Sequence, residues 1–302
     1  MMARGDSWLD RLENLIERLG HWFFYATMRF FGQAGGYVLL VPVIFCYVLC
    51  SRAIHRITCP YLSRRFPDHG CFRRWIDTFK NLLAFGQVLV DRGWLGVTKN
   101  ASLQGNIAGY EKLMQLIDKG KGVVLLTGHV GNWQTALAHL ENLPVKVHAL
   151  MQYDQQAAAK HYFDLRGKSR SFEIIDTEGQ FGGMIDAAVA LQRGEAVTIM
   201  GDRYVKGFST TVDFLGALVR VPTAAYMLAA CAKAPVVVLL AAKTGRKSYQ
   251  LRIWDYFYPQ YKNRDERSEM LRKCGEQFVR IVEKYLEEYP FQWYNFFDFW
   301  KQ

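Results

Sequence analysis

The hydrophobic positions fall into two textures along the chain. Up to about residue 120 they recur at helical spacing. Trp8, Leu12, Leu15, Ile16 and Leu19 share one face of a predicted helix over 7–20, with Asp6 or Ser7 as its cap. Phe72–Gly93 predicts another helix, and Gly93–Asn100 a break. Ser102–Lys119 predicts a third helix, closed by Gly120-Lys121-Gly122. Beyond it, short and wholly apolar runs take over, the pattern of strands buried on both faces. VVLLT (123–127), Val145–Met151, FEIID (172–176), AVTIMGD (196–202), VVVLLAAKT (236–244) and YQLRIWD (249–255) read as strands, the last two joined by a Gly245-Arg246-Lys247 turn. Helical patterns separate them over 132–142, 155–168 and 181–193. A loop after residue 202 leads to a helix starting at Pro222, and a long amphipathic helix runs from Asp265 to Glu288.

This alternation predicts an α/β fold with a central, mainly parallel or mixed sheet flanked by helices. Residues 1–100 are expected to form a helical N-terminal part and 101–302 a single α/β domain, since no repeat or Gly/Ser/Pro linker interrupts the chain.

One segment changes that picture. From Phe30 to Ser51, 22 residues carry no charge, and about 20 suffice to cross a hydrocarbon layer. Arg29 and Arg52 bracket the run, and Trp22, Tyr25, Tyr37 and Tyr47 supply rings suited to an interface. One reading is a membrane anchor, as a span or a shallow insertion. The other is a buried helix pair broken at Gly35-Gly36 and Pro42. The run starts late, behind an acid-containing helix, and no small-x-small site follows, unlike a cleaved signal peptide.

Charge points the same way. The net charge is +10 over 302 residues. Between Arg52 and Lys80, seven basic residues face only Asp68 and Asp77. A basic cluster directly after an apolar run suits anionic lipid headgroups and, for a span, places the bulk of the chain in the cytoplasm. A plain solvated face has the same composition. No nucleic-acid motif accompanies the basic residues, so a nucleic-acid partner is not expected. The six cysteines form no C-x-x-C pair, which argues against a disulfide scaffold or a zinc site. No histidine has metal-ligand spacing, and neither a metal nor another cofactor is expected.

Candidate chemistry sits at two predicted strand ends. Gly128-His129-Val130-Gly131-Asn132-Trp133-Gln134 follows the first buried strand and opens a helix. In α/β sheets ligands bind beyond the carboxyl ends of strands, so His129 is placed to act as a general base or simply to cap the helix. Met200-Gly201-Asp202-Arg203 ends another buried strand. Its acid and base are either functional groups at the same edge or a salt bridge. Arg166-Gly167-Lys168-Ser169-Arg170 reads as a phosphate site or as charges matched to a helix dipole.

A His after a buried strand, with TGHVGNWQ (127–134) around it, resembles the lysophospholipid acyltransferase-like superfamily, and within it the late lipid A acyltransferases of Gram-negative bacteria. MGDR (200–203), VDFLGALVRVPTAAYMLA (212–229), APVVVLL (234–240) and YPFQWYNFFDFW (289–300) extend the likeness. The resemblance implies a bacterial inner-membrane O-acyltransferase with its catalytic part on the cytoplasmic side. Its donor would be a thioester on acyl carrier protein or coenzyme A. Its acceptor would be a hydroxyl (or amine) of a membrane lipid or glycolipid. It further implies His129 as the base, with Asn132, Arg166 and Arg203 as substrate-binding candidates and Asp202 at a neighbouring strand tip. The family's acid five residues after the His is Gln134 here. Gln can fix an imidazole tautomer but cannot neutralise an imidazolium. Three readings stand: a subfamily in which Asp202 or Glu141 completes the pair in space, an inactivating change, or a catalytically silent lipid-binding protein of the same fold.

Overall fold

The computed structural model describes residues 8–98, 102–132, 140, 143–152, 172–178, 180–204 and 207–301. The helices expected over 132–142 and 155–168, with Gln134, Glu141 and Arg166, fall largely or wholly outside these residues.

Three helices come first: α1 (Trp8–Cys50), α2 (Arg52–Arg65) and α3 (Cys71–Val97). The apolar run is therefore helical throughout, with one break, and the break is neither at Gly35-Gly36 nor at Pro42. It lies at Gly32, where φ is 64° and ψ −164°, while Pro42 is carried inside the helix. Gly93 does not end α3 either. A Cβ there would stand 2.9 Å from Met28 Cε, and Gly36 and Gly86 make similarly close contacts with Val90 and Leu40. These glycines are notches through which α1 and α3 pack side by side, so α3 continues to Val97.

The helix expected over 102–119 is instead a strand and a shorter helix: β1 (Gln104–Ala108) and α4 (Tyr110–Ile117), separated at Gly109. β1 pairs in parallel along β9 (Ser248–Phe257), and this tertiary pairing overrides its helix-like spacing. The remaining sheet strands are β2 (Val123–Thr127), β3 (Val147–Met151), β4 (Glu173–Asp176), β5 (Ala196–Met200) and β8 (Val236–Lys243). Together they form a seven-stranded mixed sheet in the order β1-β9-β8-β2-β5-β3-β4. Only the β8–β9 pair is antiparallel. A short 3₁₀ turn (Gln180–Gly183) leads into α5 (Met184–Gln192).

Residues 209–222 are not a loop. They form a hairpin of β6 (Ser209–Phe214) and β7 (Ala217–Pro222), turned at Leu215 and Gly216, both with positive φ. This is the backbone sign of the tight turn that matches strand twist. Pro222 ends β7, and α6 (Ala224–Ala232) starts after Thr223. The long α7 (Arg264–Glu288) is capped by Asn263, whose side chain accepts from Asp265 N and Glu266 N.

The central strands are buried on both faces. Val124 and Leu126 pack into a cluster with the α5, α6 and α7 faces and the hairpin, and Val123 and Leu125 pack into a cluster with α4 and β3. This core fixes the tips of β2 and β5.

Candidate active site

β2 and β5 are adjacent and parallel, with Thr127 paired to Met200. His129 lies two residues beyond Thr127, and Asp202 two beyond Met200. Register alone therefore brings the two side chains to one edge, on strands about 4.8 Å apart. A hydrogen bond from Gly201 N to Thr127 O (2.9 Å) continues the ladder past the strand ends.

The contact is two-pronged. His129 Nδ1 lies 2.8 Å from Asp202 Oδ1, and the His129 backbone N–H donates to Asp202 Oδ2 at 2.7 Å. Gly128 permits this approach, since a Cβ on it would meet the Asp202 carboxyl at 3.1 Å. The carboxylate is sealed, at 3% side-chain exposure, whereas the imidazole is 24% exposed. Burial by itself pushes the Asp202 carboxyl up. The His129 charge and hydrogen bond, the Trp293 indole and the His129 N–H together outweigh it and hold the group below its ordinary value. In the neutral imidazole, a carboxylate at Nδ1 favours the tautomer with the proton on that nitrogen and the lone pair on Nε2.

The C-terminal string closes the site. Val130 bridges Trp293 in antiparallel sense. Gly131 N donates to Gln292 O (3.0 Å), and Tyr294 N donates to His129 O (2.8 Å). The Trp293 indole donates to Asp202 Oδ2 at 2.9 Å. The string is itself fastened from several sides. Tyr61 Oη donates to Pro290 O, Asn81 Nδ2 to Phe291 O and Trp293 O, and the Gln292 amide brackets Lys243 N and O at the end of β8. Gly131, at φ 52°, is irreplaceable here because a Cβ would stand 2.2 Å from Ala241 O.

The structure gathers His129 and Asp202 and gives Asn132 and Arg203 other partners; Gln134 and Arg166 lie outside the described residues. Asn132 is 1% exposed, and its amide is one of the groups acting on the buried Tyr249 hydroxyl. Arg203 does not bridge Asp202. Its Nε and Nη2 donate to Asn295 Oδ1 at 3.2 and 3.1 Å, and its guanidinium lies over the Phe297 ring. Trp293 and Asn295 are site residues that the strand-end argument missed. Their signal was the aromatic-rich string at 289–300, where a buried indole N–H and amide each require a partner. A separate basic cavity of about 510 Å³ opens between α2 and the chain end, lined by Arg56, Arg64, Trp300 and Lys301 among others, and shares none of the residues around His129.

A strand-tip imidazole backed by a sealed carboxylate, on a mixed α/β sheet behind an apolar helix, can deprotonate a hydroxyl at Nε2 and then carry the positive charge. Comparison with curated proteins finds no match. The family described as bacterial lipid A biosynthesis acyltransferases matches residues 72–302, which takes in every residue of this site, and the chain belongs to that acyltransferase family.

Proposed function

We propose that the protein transfers a fatty acyl chain from a thioester, on acyl carrier protein or coenzyme A, to a hydroxyl (or amine) of a membrane lipid or glycolipid. His129 is the general base. Its Nε2 takes the acceptor proton, the acceptor oxygen attacks the thioester carbonyl, and the C–S bond breaks. The imidazolium then returns its proton to the departing thiolate, leaving an ester and a thiol. Asp202 holds the imidazole orientation and offsets its charge in the intermediate state. It supplies the negative charge that Gln134 lacks, so the pair is completed in space by the neighbouring strand. Asn132, buried three residues after His129, is proposed to support the loop that meets the substrate. Arg166 and Arg203 are proposed to hold the polar end of a substrate, Arg203 being already aimed by Asn295. The proposed place is the cytoplasmic face of the bacterial inner membrane, with the basic residues of α2 and α3 against anionic lipid.

The observation that carries this reading is the 2.8 Å contact between His129 Nδ1 and Asp202 Oδ1 under a partly open imidazole. The test is turnover with purified protein in detergent, given acyl carrier protein or coenzyme A thioesters and a Gram-negative lipid extract, with products read by mass spectrometry. A lipid that gains an acyl chain, and does not with His129→Ala, is the expected result. Full activity in His129→Ala removes the mechanism.

A further inference from the structure

We infer that α1 lies in the plane of one leaflet and does not cross the bilayer. The inference deepens the membrane reading above and rests on it. By length alone α1 could span: Trp22–Cys50 is a mainly apolar stretch of 29 residues, about 43 Å as helix against a hydrocarbon layer of about 30 Å.

One stripe of that helix is already committed to the body of the protein. Met28, Gln33, Gly36, Leu40 and Val48 are buried. Met28 packs at Gly93, Gly36 at Val90 and Leu40 at Gly86, and Val48 shares a cluster with Leu82. The two helices therefore lie antiparallel along the whole apolar stretch.

The decisive contacts are at its midpoint, residue 36. Tyr37 Oη and Gln33 Nε2 each donate to Asp91 Oδ1 at 2.6 Å; Gln33 Nε2 also donates to the Arg246 carbonyl at 2.9 Å, and Tyr37 Oη lies 3.2 Å from it. Lys243 Nζ meets the other oxygen of Asp91 at 2.5 Å. Arg246 and Lys247, in the β8–β9 turn, are exposed. A membrane-crossing α1 would carry this turn, with its exposed cations and irregular backbone, to the bilayer centre. Hydrocarbon tolerates neither exposed charge nor lipid-facing loops there. While α1 stays docked, a crossing is excluded.

The opposite side of α1 is built for a single leaflet. Phe23, Phe30, Phe31, Val38, Val41, Phe45 and Leu49 are exposed, Phe30 by 80% and Val38 by 74%, and Phe72 (76%) and Leu89 of α3 add to the exposed apolar surface. Exposed Arg29, Arg52, Arg56 and Arg73 accompany these residues in the sequence, as do Trp22 and Tyr47. An exposed apolar face with exposed cations and interfacial rings close to it in the sequence suits anionic headgroups with shallow acyl burial. The occupant we assign is one leaflet of an anionic phospholipid bilayer.

The test uses the full chain in a bacterial host, with Cys46, Cys50, Cys59, Cys71 and Cys231 replaced. A single cysteine is introduced at Gly20, where a Cβ meets nothing within 4 Å, or at exposed Lys301. Membranes are collected and salt-washed, and a membrane-impermeant maleimide is applied to intact spheroplasts and to permeabilised ones. Gly20→Cys and Lys301→Cys are expected to show the same sidedness, both with only the label of the background that keeps buried Cys274 until permeabilisation. Opposite sidedness of the two positions would overturn the in-plane helix while leaving membrane association standing. Recovery of the unmodified chain in the soluble fraction would overturn both.

Discussion

Trp293 and His129 share one oxygen. The indole Nε1 of Trp293 and the backbone N–H of His129 both donate to Oδ2 of Asp202, which leaves Oδ1 for the imidazole. Trp293 therefore acts on the chemistry through Asp202, as a positioning residue. It also anchors the aromatic cluster of Tyr61, Phe214 and Phe299, so its substitution has two effects that must be separated.

Trp293→Phe keeps an aromatic ring and removes the indole donor. A hydrogen bond to a charged group is worth about 1.5–3 kcal/mol, or about 10- to 100-fold if it is felt in the transition state. The expected result is a fall of that order in kcat with KM nearly unchanged. Wild-type kcat in a folded Trp293→Phe protein would show that the indole only packs.

Asp202 and Gln134 make opposite forecasts. If the Asp202 carboxylate supports the imidazolium, Asp202→Asn is expected to lower kcat/KM by about 10²-fold or more, as loss of a His-orienting carboxylate does elsewhere. Gln134→Ala is expected to cost less than Asp202→Asn, and more than Gln134→Glu. A Gln134→Ala defect as deep as that of Asp202→Asn would return the orienting role to the helix position.

Acid stability reports on the same group. The folded Asp202 carboxyl is held below its ordinary value, whereas an unfolded Asp titrates near pH 3.9. Above about pH 5 both states are ionised and the contribution to stability is complete. As pH falls further, the unfolded carboxylate takes its proton first, and the contribution fades until the folded carboxyl is also protonated. The difference in melting temperature between wild type and Asp202→Asn is therefore expected to be steady above about pH 5 and to narrow towards pH 3. A gap independent of pH across that range would remove the ionic contribution.

How far the sequence disclosed the site depends on the range over which each feature is determined. Local features were legible. The buried runs of β2, β5 and β8 announced a parallel core, and the residues just past β2 and β5 were placed at one edge correctly. Features set by tertiary closure were not. β1 has helix-like spacing and becomes a strand only because β9 lies beside it. Gly93 reads as a stop and is a packing notch against Met28. The hairpin turn at Leu215-Gly216 was readable in principle, yet the alternation of 209–222 is too short to compete with the helix signal of Pro222. Trp293 stands 91 residues from Asp202, and no local pattern links them.

The Asp91 network offers a test of what holds the apolar helix to the sheet. Asp91 is fully buried, and it accepts from Gln33, Tyr37, Tyr249 and Lys243. Burial lowers the affinity of Lys243 for its proton, and Asp91 opposes that loss. Tyr249 is in turn influenced by Asn132, three residues after His129, so the network that joins α1, α3, β8 and β9 reaches the strand-tip loop. Removing one partner of a buried ion pair costs about 3–5 kcal/mol, because the other charge is left uncompensated. Asp91→Ala is thus expected to destabilise by that order and to lower activity by disturbing the loop. Replacing both charges with apolar groups of similar volume avoids the orphaned ammonium. Asp91→Leu with Lys243→Met is therefore expected to be more stable than Asp91→Ala, as read by thermal unfolding in detergent. A double variant no more stable than Asp91→Ala would show that the tyrosine and glutamine donors, and not the ammonium, account for the loss.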